Sequence, residues 1–321
     1  MPYESSSASD PMWPGLATIE ITGFSFSNPT GQLLKNTHLH NKGGIMFHQF
    51  VNKLCSKKER DLPSPVFSAI SYPKTGTTWF QFELAKYVQI ISRNEQLVFF
   101  DDIDRVRQAC RTAPNFVGGF THAPLTWNSQ AANDLSAESV VDPFRELKVI
   151  LMVRHPLDTL VSHYMQMKHQ VGSFKGDLVD FINDDVFGLE KLIRFYSIWA
   201  ENKHGLRGFY LRRYEDARKD PGRILKEILA FLGESPHQAA VDEAVSFASF
   251  RNMRDMESRG AELVYPSSNL PVFGPGDRSN PDAFHVRKGE VGGYRTHLSG
   301  GQAEKFEALI ARNLPVMFGY S

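Results

Sequence analysis

Cysteine is nearly missing from this chain, which has only Cys55 and Cys110. Two thiols cannot build a disulfide framework or a four-thiolate zinc site, and such sparse use fits a reducing cytoplasm. An excess of one charge is missing too. Lys and Arg number 36, Asp and Glu 36, so the formal net charge is zero. That balance argues against a protein that coats nucleic acid or another extended polyanion, but it leaves room for a small basic pocket. Long hydrophobic runs are absent. The run to note is Val149–Val153, far short of the roughly 20 residues that a membrane-spanning helix needs. The opening MPYESSSASDPMWPG has no basic stretch followed by an apolar one, so it does not read as a secretory leader. No paired His/Cys or Asp/Glu spacing suggests a metal site, and no repeat or low-complexity linker divides the chain. The expectation is a soluble, cytoplasmic protein with no membrane anchor, no metal and no nucleic-acid partner.

What is present is ordinary globular composition: 321 residues, 41% hydrophobic and 22% charged. This excludes disorder, collagen and coiled coil. Residues 1–45 are rich in Ser, Pro, Asn and Gly and are expected to be a variable extension, with one domain over 46–321. From residue 64 onward, strand and helix signals alternate. Val66–Ser71 and Phe116–Thr121 read as short strands. Leu147–Val153 reads as a strand buried on both faces. Gly208–Arg212 is a fourth strand. Helices are expected over Thr78–Ile91, Pro156–Lys168, Glu190–Asn202 and Pro221–Leu232. The last has Asp220 as N-cap and Gly233 as its stop. The pattern predicts an α/β fold with a central, mainly parallel sheet flanked by helices. Residues 259–286 are long, Pro/Gly/Ser-rich and aperiodic, and are expected to be a lid or a disordered loop.

The first strand runs into Tyr72-Pro73-Lys74-Thr75-Gly76-Thr77-Thr78-Trp79. A strand, a tight Lys/Gly/Thr loop and a helix start make a cradle for a phosphate or sulfate. It is not a Walker A loop, because Lys precedes the Gly and no Gly lies four positions earlier. The loop closely resembles the 5′-phosphosulfate loop of cytosolic-type sulfotransferases. Their donor is 3′-phosphoadenosine 5′-phosphosulfate (PAPS), and they have a P-loop-like α/β fold. Arg154 and Ser162, eight residues apart after the strongest strand, resemble the family's 3′-phosphate segment. Arg287-Lys288-Gly289 is similar to its C-terminal RKG segment, although the Asp-Trp-Lys usual after it reads Gly293-Tyr294-Arg295. Gly119-Phe120-Thr121-His122 resembles the family's Lys-Thr-His, with Phe120 in place of the Lys. Tyr214-Glu215-Asp216 resembles its YED segment, and Ser249-Phe250 its adenine-pocket pair opposite Trp79. His285 stands where the family often has Phe.

The resemblance implies sulfuryl transfer from PAPS to a hydroxyl, or an amine, of a small and partly apolar acceptor, leaving adenosine 3′,5′-bisphosphate (PAP). It implies His122 as base and Lys74 at the leaving oxygen. Lys74, Thr75, Gly76, Thr77, Thr78 and Trp79 would bind the donor, with Arg154, Ser162, Tyr214, Ser249, Phe250, Arg287, Lys288 and Gly289. Two other readings stay open on the sequence: a P-loop kinase-like phosphotransferase and a non-catalytic nucleotide-binding protein. A carrier-tethered acceptor is compatible as well. The family's dimer motif is only loosely kept over Arg295–Glu304, so the oligomeric state is left open.

Overall fold

The computed structural model describes residues 62–122, 130–259, 264–265, 270–273 and 279–320. The expected extension over 1–45, and Cys55, lie outside the described residues. The elements in chain order are β1 (Phe67–Ser71), α1 (Thr77–Ile91), α2 (Ile103–Ala109), β2 (Gly118–Thr121), α3 (Ala137–Val140), β3 (Lys148–Val153), α4 (Pro156–Gln166), α5 (Leu178–Asn183), α6 (Leu189–Asn202), β4 (Gly208–Arg213), α7 (Tyr214–Lys219), α8 (Pro221–Leu232), α9 (Gln238–Phe247), α10 (Phe250–Ser258), β5 (Val264–Tyr265), β6 (Leu270–Pro271) and α11 (Gly300–Asn313).

Strands β1 to β4 form one sheet in the order β2-β1-β3-β4, and every pairing is parallel. Parallel neighbours need crossover connections, and the helices that make them cover both faces. Alternation along β3 shows this directly. Val149, Leu151 and Val153 pack with Leu157, Leu160 and Trp199 on one face. Ile150 and Met152 pack with Phe67, Phe80, Leu84 and Ile228 on the other. The continuous apolar run of β3 is therefore a strand with two cores.

Local signals set several boundaries. Asp220 Oδ1 accepts from the Arg223 N–H at 3.0 Å, Pro221 opens α8, and Gly233 ends it at φ 99°. Helix α4 ends at Gln166 instead of reaching Lys168, because the backbone passes into a π-helical turn over Met167–Val171 that Gly172 closes at φ 70°. Cys110 is buried, which raises its thiol to about 12.

Part of the 259–286 stretch is described. β5 pairs antiparallel with β6, and Val272 and Phe273 are buried beside Phe82, Phe99, Ala248 and Met253. Its residues 260–263, 266–269 and 274–278 lie outside the described residues.

Because the strands of the central sheet are parallel, all their carboxyl ends lie along one edge. The strand order also reverses there: β2 lies on one side of β1 and β3 on the other. A crevice at that switch point is where open α/β sheets bind ligands. β1 ends at Ser71, β2 at Thr121, β3 at Val153 and β4 at Arg213. Within three residues of each end comes one of the site candidates, namely Lys74, His122, Arg154 and Tyr214.

Candidate active site

The loop after β1 is shaped by two left-handed residues, Lys74 at φ 71° and Gly76 at φ 95°. A Cβ on Gly76 would stand 2.9 Å from Tyr214 Cδ2, so glycine is required both by its φ and by the approach of Tyr214. α1 then starts at Thr77 with no side chain capping its first N–H groups, the condition in which a helix start attracts an anion.

The three threonines of the loop have different partners. Thr77 Oγ1 lies 2.9 Å from Ser71 Oγ. Thr78 Oγ1 lies 3.0 Å from His285 Nε2. Thr75 is fully buried, and its hydroxyl donates to the Tyr72 carbonyl at 2.9 Å. The Thr75 hydroxyl therefore closes the loop on itself, and its backbone N–H is the group left to face a donor.

His122 comes directly after β2. Its Nδ1 lies 2.8 Å from Ser71 Oγ and 3.0 Å from the Ser71 carbonyl oxygen. A carbonyl only accepts, so Nδ1 carries the proton and Nε2 the lone pair. Phe120 adds no polar group. Its ring packs edge-on against Phe80 at 5.3 Å and tilted against Phe100 at 5.5 Å.

Arg154 comes directly after β3. Its guanidinium stacks on the Tyr214 ring at 4.3 Å. It donates to the Lys74 carbonyl at 3.4 Å and to the Glu290 carbonyl at 2.8 Å. It therefore ties the loop after β1 to the C-terminal basic segment. Tyr214 meets the edge of Trp79 at 5.6 Å. The Tyr214 ring is thus packed between Arg154 and Trp79 where it lines the cleft.

Two buried carboxylates hold the basic segment on either side. Glu257 accepts from the N–H groups of His285 at 2.6 Å and Val286 at 2.8 Å. Asp158 accepts from Gly292 at 2.7 Å and Tyr294 at 3.0 Å. Gly289, between them, has φ 64°, and a Cβ there would lie 3.0 Å from Phe250.

These segments enclose one cleft of about 1070 Å³ including its open mouth. Lys74, Gly76, Thr77, Thr78, Trp79, His122, Arg154, Ser162, Tyr214, Phe250, Arg287, Lys288 and Gly289 all line it. Thr75 and Ser249 do not. Ser249 instead caps α10, its hydroxyl accepting from the Asn252 N–H at 3.4 Å. Serine before a helix is a capping signal in its own right.

Several residues were missed by sequence reasoning. Ser71 was legible as the hydroxyl ending an apolar strand. Asp158, Glu257, Arg218 and His297 were not singled out, and only the fold brings them to the cleft or its supports.

The chemistry of the cleft suits a multiply charged nucleotide. Three cations from distant segments meet there, Lys74, Arg154 and Arg287. Arg154 Nε and Arg287 Nε are buried with no hydrogen-bond partner among the described residues. Burial and the crowding of like charge shift the ionisable groups of the cleft. Burial, with help from Arg154 and Arg287, lowers Lys74 to about 8, against an upward pull from Glu257. Burial lowers His122 to about 4; the Ser71 carbonyl opposes this and Lys74 adds to it. His285 is held well below its ordinary value by burial, then by Lys74 and His122. Both imidazoles are neutral at pH 7, and an incoming polyanion relieves the repulsion.

Similarity to known proteins identifies the family. The sulfotransferase domain family matches residues 67–317, and the chain belongs to that family of PAPS-dependent enzymes, which transfer a sulfuryl group to hydroxyl or amine acceptors. Among curated relatives, sulfotransferase 1A1 of Rattus norvegicus is 25% identical over 76% of this chain and 82% of its own length. The amine sulfotransferase of Oryctolagus cuniculus is 25% identical over 76% and 79%. Among solved structures, mouse sulfotransferase SULT7A1 complexed with PAP superposes with TM-score 0.51 at 20% identity, covering 83% of this chain and 89% of that one. Retinol dehydratase in complex with retinol and PAP gives 0.53 at 15% identity, covering 89% and 88%. These two support the shared fold. Among the described residues, no helix is long and apolar enough to cross a membrane.

Proposed function

We propose that the cleft holds PAPS with its 5′-phosphosulfate at Lys74 and the start of α1, and its 3′-phosphate at Arg154, Ser162 and Arg287. Lys288 and Gly289 close over the 3′-phosphate. Trp79 and Phe250 flank the adenine, where flat rings gain from stacking. The observation that carries this reading is the convergence of Lys74, Arg154 and Arg287 on one cleft with His122. Bound PAPS supplies an activated sulfuryl group; the rest is done by the chain.

His122 takes the proton of the acceptor. The hydrogen bonds with Ser71 fix the ring and its tautomer, and the unprotonated Nε2 is the base. A positioned base contributes roughly 10²–10⁴-fold. Lys74 stabilises charge developing on the leaving phosphate oxygen, where a preorganised cation is most effective. Arg154 and Arg287 fix the donor's orientation through planar donor forks.

The acceptor is a small molecule carrying a hydroxyl or an amine, and the name of the rabbit amine sulfotransferase supports considering the amine beside the hydroxyl. Val272 and Phe273 belong to the apolar cluster of Ala248 and Met253, which line one wall of the cleft. The likeness to cytosolic-type enzymes supports a cytoplasmic setting, with acceptors in solution or tethered to a carrier. Incubation with radiolabelled PAPS and a panel of phenols, alcohols and amines tests the reading. Labelled product from at least one class is expected, and PAP binding without transfer to any would refute the catalytic role.

A further inference from the structure

The position two residues before Arg287 holds an imidazole, and its surroundings give it a task. His285 lines the cleft. Its backbone N–H donates to the buried Glu257 at 2.6 Å, and its ring meets Phe273 edge-on at 6.3 Å. Glu257 thus fixes the backbone and Phe273 packs against the ring, and its Nε2 lies 3.0 Å from Thr78 Oγ1 in the first turn of α1. On the β2 side of the site, Phe120 is turned into the core against Phe80 and Phe100 and offers no polar atom.

A threonine hydroxyl has one proton and two lone pairs. If it donates to His285, it has no proton left for a phosphate. If His285 donates to it, its own proton is available to an anion in the cleft. A bound 5′-phosphate accepts and never donates, so it selects the second arrangement.

We propose that His285 is a positioning residue for the donor site: its Nε2–H donates to Thr78 Oγ1 and turns the Thr78 proton toward the 5′-phosphate of the bound nucleotide. This role rests on the cleft being the PAPS site. It makes affinity for the nucleotide depend on a side chain that acts through Thr78.

The test is calorimetric titration of PAP into the full-length wild type and the variants His285→Phe, His285→Gln, Thr78→Val and the double variant His285→Phe/Thr78→Val, with thermal melts of each to check folding. Glutamine keeps an N–H donor at a similar reach, whereas phenylalanine keeps only the ring. His285→Phe and Thr78→Val are each expected to weaken PAP on the order of ten-fold, the change typical of one charge-assisted hydrogen bond. The double variant is expected to be no weaker than Thr78→Val, and His285→Gln to bind like wild type. Wild-type affinity in His285→Phe, or single effects that multiply in the double variant, would overturn the role. Should His285→Phe fail to fold, His285→Gln binding as weakly as Thr78→Val overturns it equally. A wild type that does not bind PAP overturns the donor-site reading and this role with it, whereas normal wild-type binding with unaffected variants overturns this role alone.

Discussion

His122 Nδ1 lies 3.0 Å from the carbonyl oxygen of Ser71, so the ring proton is on the side away from the lone pair that the chemistry needs. The same nitrogen is 2.8 Å from Ser71 Oγ, which in turn is 2.9 Å from Thr77 Oγ1. The proposed base and the anion loop are thus connected through one serine at the end of β1.

The first expectation concerns protonation. Burial lowers His122 from 6.5 to about 4, so between these values the unfolded chain binds more protons than the folded one. Stability contributed by neutral His122 is therefore complete above about pH 6.5 and is lost as pH falls toward 4. Lys74 contributes to the lowering, so PAP, by neutralising Lys74, is expected to raise the His122 value. Imidazole resonances tracked by NMR titration with and without PAP check this. A value near 6.5 without ligand would contradict the geometry.

The second concerns the 3′-phosphate. Arg287→Ala is expected to weaken PAP by one to two orders of magnitude and 5′-AMP hardly at all, since the lost charge-assisted bond belongs to the 3′ side. Arg154→Ala is expected to weaken both, because Arg154 also joins Lys74 to Glu290. Calorimetry with the two nucleotides separates these roles, and equal losses for both in Arg287→Ala would displace Arg287 from the 3′-phosphate.

The third concerns Gly76. Its φ of 95° and the 2.9 Å approach of Tyr214 to a Cβ there leave alanine strained. Gly76→Ala is expected to cost about 1–3 kcal/mol of stability and to impair PAP binding. A chemical-denaturation curve that matches wild type would show that the loop adapts.

The fourth lies beneath the site. Arg212 and Glu83, both buried, are paired at 3.0 Å, and Arg212 also faces the Trp79 ring at 4.9 Å. Burial pushes the Glu83 carboxyl up and Arg212 pulls it down. Arg212→Met is expected to cost about 3–5 kcal/mol by stranding a buried carboxylate, and adding Glu83→Leu is expected to recover much of it. Thermal denaturation of the two variants decides the point; no recovery in the double variant would mean that the loss comes from packing.

Much of the frame was legible in the sequence because the frame is local. The β3 run, the Asp220/Pro221/Gly233 punctuation of α8 and the Lys/Gly/Thr loop all act within a few residues. The parallel sheet then places the loops after its strands along one edge. The supports were hidden because they join residues far apart: Asp158 holds Gly292, and Arg154 holds Glu290. Thr75 differs in kind: its hydroxyl suits an anion site, but a carbonyl of its own loop takes the proton.

The most direct test of the account is sulfuryl transfer from radiolabelled PAPS by wild type and His122→Ala, assayed together on the best acceptor of the panel, with PAP affinity measured for both. Wild type is expected to yield labelled product. His122→Ala is expected to lose roughly 10²–10⁴-fold in kcat with PAP affinity retained. Undiminished turnover in His122→Ala would contradict the assignment of His122 as the base.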